Sequence, residues 1–232
     1  MDFSAFKAIT FDCYGTLIDW EAGISAALTP LIRRAGVGVD PDVLLAAYGE
    51  AERAAEAGPF RPYREVLADV GRRLSEQFGF ARREGEEHIL ADSIRDWPAF
   101  AETPEALRQL KARFRLAVLS NIDDDLFEGS RSKLGVKLDA VITAQQVRSY
   151  KPGRGHFVEA QRRLELPAES ILHVAESRFH DIEPAKALGF GTVWVNRHAL
   201  HGGPSASGEG AAEPDLEVAD LTTLARLATA AG

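Results

Sequence analysis

Short apolar runs alternate with segments of helical length along most of the chain, and this alternation restricts its fold more than any other feature. The apolar runs have strand length, and polar residues follow each of them; they lie at 8–11, 116–119, 140–143, 171–174 and 192–195. Between the later runs lie amphipathic patterns of helical period, at 104–114, 124–134, 155–164 and 181–188. Apolar strands that alternate with such helices are typical of a parallel sheet covered on both faces. We therefore predict an α/β class protein with a doubly wound, Rossmann-like parallel sheet.

Residues 20–98 interrupt this alternation, because they contain only helical patterns, at 22–35, 41–57, 63–78 and 84–97. We predict an all-helical cap domain at 20–98, inserted into an α/β core domain made of 1–19 and 99–232. An insert directly after the first strand lies over the carboxyl ends of the sheet, where a lid excludes water from the chemistry. The alternative is a helical layer that serves only stability.

The end of the chain carries two weaker signals. Residues 201–214 are rich in Gly, Ser, Ala and Glu, which predicts a flexible surface loop. Residues 215–230 predict an edge strand followed by a terminal helix.

Composition excludes several classes of protein. The net charge of -8, without clustered Lys and Arg, argues against a nucleic-acid binder, which needs such clusters to displace counterions. The single cysteine, Cys13, excludes an internal disulfide and fits a reducing compartment. The N-terminus has no recognisable export signal, and no apolar run approaches the roughly 18 residues of a membrane span. We expect a cytoplasmic protein that does not bind a membrane.

Polar residues follow the predicted strands at the edge of the sheet where ligands bind. In open α/β sheets the ligand lies beyond the carboxyl ends of the strands. The polar residues at that edge are Asp12, Ser120, Asn121, Lys151 and the segment 176–181. We expect these side chains to converge on one site for a small anionic molecule.

Asp12 is the candidate nucleophile. It ends a buried strand close to Gly15, which lets the backbone approach a ligand, and to Thr16, whose hydroxyl can donate to developing negative charge. The alternative is an ordinary turn former or helix cap.

The other loops supply donors and one cation. Ser120 and Asn121 can bind an oxyanion or a halide, or they can cap the helix that begins near Asp123. Lys151 can pair with Asp12 and neutralise its charge, although most lysines are surface residues.

The fourth loop contains two acids five positions apart, Glu176 and Asp181. They can bind Mg²⁺, or orient a water molecule and the lysine; Asp181 can also be a helix N-cap. His156 and His180 lie near the inferred site, and we interpret both as helix-surface residues.

Four segments of this chain, in this order, resemble the motifs of the haloacid dehalogenase superfamily, and the likeness runs from residue 7 to about 225. Residues 11–17 (Phe-Asp-Cys-Tyr-Gly-Thr-Leu) are similar to the first motif and 119–121 (Leu-Ser-Asn) to the second. Lys151-Pro152 is similar to the third, and Glu176 with Asp181 to the acidic fourth.

Tyr14 directs the resemblance to one branch of that superfamily. Its phosphatases usually carry a second Asp at this position, as the general acid for the leaving group. Tyrosine there, and a helical insert after the first motif, are similar to the L-2-haloacid dehalogenase branch, whose leaving halide needs no proton.

The resemblance implies a two-step reaction without a cofactor. Asp12 displaces halide from C2 of a 2-haloalkanoate, and water hydrolyses the aspartyl ester. Thr16, Ser120 and Asn121 would hold the substrate carboxylate or the halide, Lys151 would balance the charge, and Asp181 would orient water or Lys151. The residues predicted to bind substrate are Tyr14, Gly15, Ser177 and Arg53. The resemblance also implies a homodimer through the cap.

Three departures from that branch leave other functions open. The branch has a cap arginine where Tyr48 falls by our register, with Arg53 or Arg61 as substitutes, and a tyrosine where this chain has Phe157. Its fourth loop has a different pattern from Glu176, Ser177 and His180.

The first alternative is a Mg²⁺-dependent phosphatase of a small phosphate ester. Its predicted metal ligands are Asp12, the backbone oxygen of Tyr14, Glu176 and Asp181. The second alternative is a catalytically silent binding module that keeps the fold.

Overall fold

A computed structural model describes residues 1–197 and 210–230 of the chain. Within these ranges six strands form one sheet: β1 (Ala8–Phe11), β2 (Arg115–Ser120), β3 (Ala140–Thr143), β4 (Ile171–Ala175), β5 (Gly191–Val195) and β6 (Leu216–Val218). Neighbouring strands are parallel, in the order β3-β2-β1-β4-β5-β6. The chain reverses its direction of travel across the sheet at β1, which is the order of a Rossmann-like fold. The predicted fold class is confirmed.

All the regular secondary structure of the inserted segment is helical. Its helices are α1 (Trp20–Ala35), α2 (Pro41–Glu56), α3 (Tyr63–Phe78) and α4 (Ile89–Ser93), the last continued by a 3₁₀ turn at Ile94–Asp96. The predicted helix at 84–97 is wrong in its first half. Gly85 adopts a φ of +86°, which a helix does not allow, and the chain becomes helical only after it.

The remaining helices pack on the sheet: α5 (Thr103–Lys111), α6 (Asp124–Arg131), α7 (Ala144–Val147), α8 (Gly155–Leu164), α9 (Glu183–Ala187) and α10 (Leu221–Ala230). Side chains of a strand alternate between the two faces of the sheet. In β2, Leu116 and Val118 join the apolar cluster that includes α5 and α10, whereas Ala117 and Leu119 join the cluster under α8 and α9. Both faces are therefore covered, as the apolar strands predict.

The insert leaves and re-enters the core at adjacent points. Ile18 and Ala99 form an antiparallel bridge. Beside it, the Asp19 amide donates to the Pro98 carbonyl at 2.8 Å, and the Phe100 amide donates to Leu17 at 3.1 Å. This crossing lies next to the predicted boundaries at 19/20 and 98/99, and the division of the chain into a core domain and a cap domain stays a prediction.

Asp123 links the core to the insert. It is 4% exposed, and its two carboxylate oxygens accept the Tyr63 and Arg64 amides, each at 2.9 Å. These amides are among the unpaired donors at the start of α3, whose own N-cap, Pro62, offers no side-chain acceptor. Asp123 is also the N-cap position of α6, so Ser120 and Asn121 do not cap that helix.

We expect Asp123→Ala to lower the free energy of unfolding by about 2 kcal/mol, because two amides at the start of α3 lose their acceptor. Denaturant unfolding measures the change. Asp125→Ala is the matched control. Its carboxylate pairs with Arg64 at 3.0 Å but is 68% exposed, so its loss should cost less than about 1 kcal/mol. Equal effects of the two variants would contradict the role of Asp123 as a cap.

The structure bears on three further predictions. Cys13 is a buried, free cysteine. Among the described residues, no helix has both the length and the apolar character to cross a membrane. The loop predicted at 201–214 falls largely outside the described residues. The cytoplasmic location and the homodimer stay predictions.

Candidate active site

A cavity lies between the carboxyl ends of the strands and the helical insert. Its volume is about 80 Å³, which is space for a few water molecules. The core contributes Asp12, Tyr14, Ser120, Asn121, Lys151, Ser177, His180 and Asp181 to its lining. The insert contributes Trp20, Tyr48, Glu52, Arg53, Glu56, Tyr63 and Trp97. Four separate strand ends thus meet one face of the insert around a space for a small molecule.

Asp12 lies on the floor of the cavity and is 7% exposed. Its amide donates to the Val174 carbonyl at 3.0 Å, which extends the β1 ladder by one residue and fixes the backbone. The Thr16 hydroxyl donates to Oδ2 at 2.8 Å, and Lys151 Nζ donates to Oδ1 at 2.8 Å. Thr16 is itself buried and accepts the Glu176 amide at 2.9 Å. Thr16 is not among the lining residues, so it positions Asp12.

Lys151 is 2% exposed, so it is buried, unlike most lysines. Its Nζ donates to Asp12, to Asp181 Oδ1 at 2.6 Å and to the Leu119 carbonyl at 2.9 Å. These three acceptors use all three protons of the ammonium group. Burial alone lowers the pKa of Lys151, but the two carboxylates outweigh it and raise the pKa above its ordinary value. The ammonium group is therefore a permanent charge beside Asp12.

Asn121 holds the Lys151 backbone from both sides. Its Oδ1 accepts the Lys151 amide at 2.7 Å, and its Nδ2 donates to the Lys151 carbonyl at 3.1 Å. Both polar atoms of the Asn121 side chain are therefore used by these two hydrogen bonds, which orient Lys151 toward Asp12. The predicted role of Asn121 in holding substrate competes with them.

Asp181 is the second carboxylate on Lys151. His173 Nε2 donates to Asp181 Oδ1 at 2.9 Å, and His173 Nδ1 lies 2.9 Å from the Thr10 hydroxyl. Burial raises the pKa of Asp181, but the Lys151 charge and the His173 hydrogen bond lower it overall to about 2. Asp181 lies within a π turn at Arg178–Ile182 whose N-cap is Ser177, so the N-cap alternative for Asp181 is wrong.

His173 is a residue that the sequence reasoning missed. It lies inside the apolar run of β4 and is fully buried. A lone histidine within an otherwise apolar strand was the signal, because a buried polar ring requires partners.

Ser120 offers a donor to the cavity. It is 1% exposed, and its Oγ has no hydrogen-bond partner in the described part of the chain. His156 Nε2 donates to the Ser120 carbonyl at 3.1 Å and fixes the backbone there. A buried hydroxyl without a partner that lines a cavity is suited to bind a ligand.

The two histidines differ from the surface interpretation. His156 is fully buried, which corrects that interpretation, and burial lowers its pKa to about 3. His180 is partly buried and lines the cavity, with Nδ1 at 3.1 Å from the Ser177 hydroxyl. Burial lowers the pKa of His180 to about 4, so the ring is neutral at pH 7.

The predicted substrate-binding residues are only partly brought together. Tyr14, Ser177 and Arg53 line the cavity, but Gly15 does not. Gly15 has a φ of +94°, and its amide donates to Ile18 at 2.8 Å, so its left-handed backbone serves the turn.

Of the three positions considered for the cap arginine, Tyr48 and Arg53 line the cavity. Arg61 donates instead to the Ala55 carbonyl at 3.0 Å, outside the cavity lining. Phe157, where the resemblance implies a tyrosine, is fully buried, packs against His173 with ring centroids 5.1 Å apart, and does not line the cavity.

The sequence reasoning missed most of the lining that the insert contributes. The missed residues are Trp20, Glu52, Glu56, Tyr63 and Trp97. Tyr48, Glu52 and Glu56 are four residues apart along α2, and this spacing places them on one face of the helix. The sequence shows that these three residues share one face of a helix, but it does not show that this face lies toward the core domain.

The predicted magnesium ligands are not gathered at one point. Lys151 Nζ binds both Asp12 and Asp181. Glu176 lines a different cavity, with Trp20 and Arg197. Within residues 1–197 and 210–230, no three His, Cys, Asp or Glu side chains are grouped to hold a metal ion. The donor set therefore does not fit the metal site of the phosphatase alternative.

Comparisons with known proteins agree with this geometry. The family model of haloacid dehalogenase-like hydrolases matches residues 6–189. The (S)-2-haloacid dehalogenase 4A of Burkholderia cepacia is 28% identical over 204 residues, covering 83% of this chain and 84% of that enzyme. Haloacetate dehalogenase H-2 of Moraxella sp. (strain B) is 28% identical over 200 residues, covering 84% of this chain and 87% of the relative.

Solved structures share the whole architecture. The crystal structure of the L-2-haloacid dehalogenase PA0810 superposes with a TM-score of 0.80 at 25% identity, covering 96% of this chain and 99% of that one. The family match spans most of the chain, from before β1 to beyond α9, and includes every element that carries the site. The chain belongs to the haloacid dehalogenase-like hydrolase family.

Proposed function

We propose that this hydrolase cleaves the carbon–halogen bond of a small halogenated carboxylic acid, with Asp12 as the nucleophile. One observation carries the proposal. The position two residues after Asp12 holds Tyr14, whose hydroxyl lies 3.0 Å from the Ser130 hydroxyl and whose pKa is raised by burial. A phosphate ester needs a proton for its leaving group, and this phenol is a poor donor at neutral pH. A halide leaves without one.

In the first step, an oxygen of Asp12 forms a bond to the carbon that carries the halogen, and the halide leaves with the electron pair of the broken bond. Two fixed donors, Thr16 and Lys151, aim the carboxylate at the cavity. Burial raises the pKa of Asp12 overall, and the neighbouring Lys151 charge opposes this rise and so favours the ionised form of the nucleophile.

In the second step, water attacks the carbonyl carbon of the Asp12 ester. The ester bond breaks, one proton of the water goes to the oxygen of the leaving alcohol, and the other proton goes to solvent. Asp181 lines the cavity beside Lys151 and is suited to orient the attacking water. The Ser120 hydroxyl, Ser177 and Arg53 are the candidates to hold the substrate, because each lines the cavity and can donate a hydrogen bond.

The names of the relatives support a halogenated acid as substrate, since they include two dehalogenases aligned over more than four fifths of this chain. The size of the cavity supports a compound of few atoms. The proposed route uses no metal ion.

We expect the purified protein to release chloride from 2-chloropropionate or 3-chloropropionate, at the same rate with Mg²⁺ and with EDTA. Ion chromatography measures the chloride. p-Nitrophenyl phosphate, offered with Mg²⁺, should release no phosphate above background. Metal-dependent phosphate release would support the phosphatase alternative, and no turnover of a wider panel of halides and esters would support a silent binding module.

A further inference from the structure

The wall that the insert contributes to the cavity is acidic. Glu52 and Glu56 lie one turn apart on the face of α2 that lines the cavity, and both are partly buried. With Asp12 and Asp181, the lining holds four carboxylates, against the two cationic side chains of Lys151 and Arg53. Lys151 already forms ion pairs with Asp12 and Asp181. The acidic side chains of the lining therefore outnumber the basic ones, and a positive group bound beside Glu52 and Glu56 would favour their ionised forms.

Glu52 is held as a hydrogen-bond acceptor. The Tyr48 hydroxyl donates to Glu52 Oε1 at 3.0 Å, and the Tyr63 hydroxyl donates to the same oxygen. Two donors on one oxygen favour the ionised carboxylate, although burial raises the pKa of Glu52. The side chain is thus a positioned acceptor rather than a solvated surface acid.

Glu56 lies beside Glu52 and has no hydrogen-bond or ion-pair partner within the described ranges of the chain. Burial and the Glu52 charge raise its pKa well above the ordinary value. A positive charge placed between the two glutamates would relieve both the burial cost and their mutual repulsion.

Aromatic rings surround these acids. The cavity is lined by Tyr14, Trp20, Tyr48, Tyr63 and Trp97. The rings of Trp20 and Tyr48 have centroids 5.5 Å apart, and those of Tyr14 and Trp97 are 5.6 Å apart. The faces of aromatic rings attract ammonium groups, and carboxylates bind them directly. Carboxylates that are surrounded by aromatic rings are therefore suited to bind an ammonium group.

We infer that Glu52 and Glu56 bind an ammonium group of the substrate, so that the substrate class is a small organic halide carrying a primary amine, such as 3-chloroalanine. This inference rests on the proposed function of Asp12. The compound is a small organic halide, which suits a cavity of about 80 Å³. Its ammonium group faces the insert, while its carboxylate faces the hydroxyl of Ser120.

The reaction balances without another reactant. Asp12 forms an ester bond to C3 of 3-chloroalanine, and chloride leaves with the electron pair of the C–Cl bond. Water then hydrolyses the ester, which yields serine, regenerates the Asp12 carboxylate and releases one proton to solvent.

The kinetic test compares chloride release from 3-chloroalanine and from 3-chloropropionate, which lacks only the amino group. We expect the wild-type kcat/KM to favour the amine by roughly 10- to 100-fold, the range for a hydrogen bond between charged groups. Glu56→Gln and Glu52→Gln should reduce that preference by at least about tenfold. Glu50→Gln is the matched control, because Glu50 lies exposed on the same helix, and it should keep the wild-type preference. Circular dichroism confirms that each variant is folded.

A binding test separates this inference from the proposed function. Calorimetry on the wild-type protein compares L-serine with 3-hydroxypropionate, neither of which reacts. Tighter binding of L-serine, lost in Glu56→Gln but kept in Glu50→Gln, supports the ammonium site even if no halide is turned over. Equal binding of the two compounds overturns the inference, and chloride release from 3-chloropropionate would then leave the proposed function intact.

Discussion

The Asp12→Asn protein is expected to lose about four orders of magnitude or more in chloride release, because loss of a nucleophile removes the covalent route entirely. The amide has no negative charge and attacks saturated carbon poorly. Its fold should be unchanged, since Asn keeps the shape of the side chain and its Oδ1 can still accept from Lys151. Asp42→Asn is the control, an exposed residue of α2 that should keep full activity.

Isotope labelling tests the same prediction independently of the mutation. In water enriched in ¹⁸O, with enzyme in excess over substrate, the first turnover should give an alcohol that contains ordinary oxygen from Asp12. Mass spectrometry should find the heavy oxygen in the peptide that contains Asp12. Heavy oxygen in the alcohol under these conditions would show direct attack by water and would remove Asp12 as the nucleophile.

Lys151→Met is expected to have the largest effect on stability, together with a loss of turnover similar to that of Asp12→Asn. Lys151 Nζ neutralises two buried carboxylates, Asp12 and Asp181, which are 7% and 1% exposed. Removing one partner of a buried ion pair leaves uncompensated charge and costs about 3–5 kcal/mol. Denaturant unfolding at pH 7.5 measures the loss.

The pH dependence of this loss has a definite sign. In the wild-type protein the pKa of Asp181 is lowered to about 2, below its unfolded value, so its contribution to stability is present above about pH 4 and is lost as the pH falls through 2. Without Lys151, burial and mutual repulsion raise both carboxylate pKa values above their unfolded values. The folded variant then binds more protons than the unfolded chain, so its free energy of unfolding increases as the pH falls from 7.5 toward 5.

Lys137→Met, at an exposed position, provides the control and should change stability by less than about 0.5 kcal/mol. A Lys151→Met protein as stable as the wild type, with the same pH dependence, would show that Lys151 does not compensate buried charge.

Several parts of the site followed from residue order alone. Asp12, Ser120, Asn121 and Lys151 were predicted to meet because each follows a strand or its loop, and parallel strands bring their carboxyl ends to one edge. They do meet around Asp12. Their roles were less predictable. Thr16 and Asn121 were expected to hold substrate, but their hydrogen bonds serve Asp12 and the Lys151 backbone.

The insert was predicted as helical from its periodicity, and its lining was not predicted. Arg53 and Arg61 were equivalent candidates in the sequence, and only packing placed the first in the cavity and the second against Ala55. Glu176 looked like a partner of Asp181 because both lie in one loop, yet it lines another cavity. Spacing along a loop does not determine the direction of a side chain.

By itself, the sequence determined the α/β fold, the place of the helical insert and the residues at the strand ends, because hydrophobic periodicity and strand order are local properties of the chain. Only the tertiary structure decided that Lys151 is buried between Asp12 and Asp181, and that Glu52 and Glu56 face them from α2. These contacts join residues far apart in sequence. Their geometry depends on how the insert packs against the sheet, and that packing sets the charge of the cavity around Asp12.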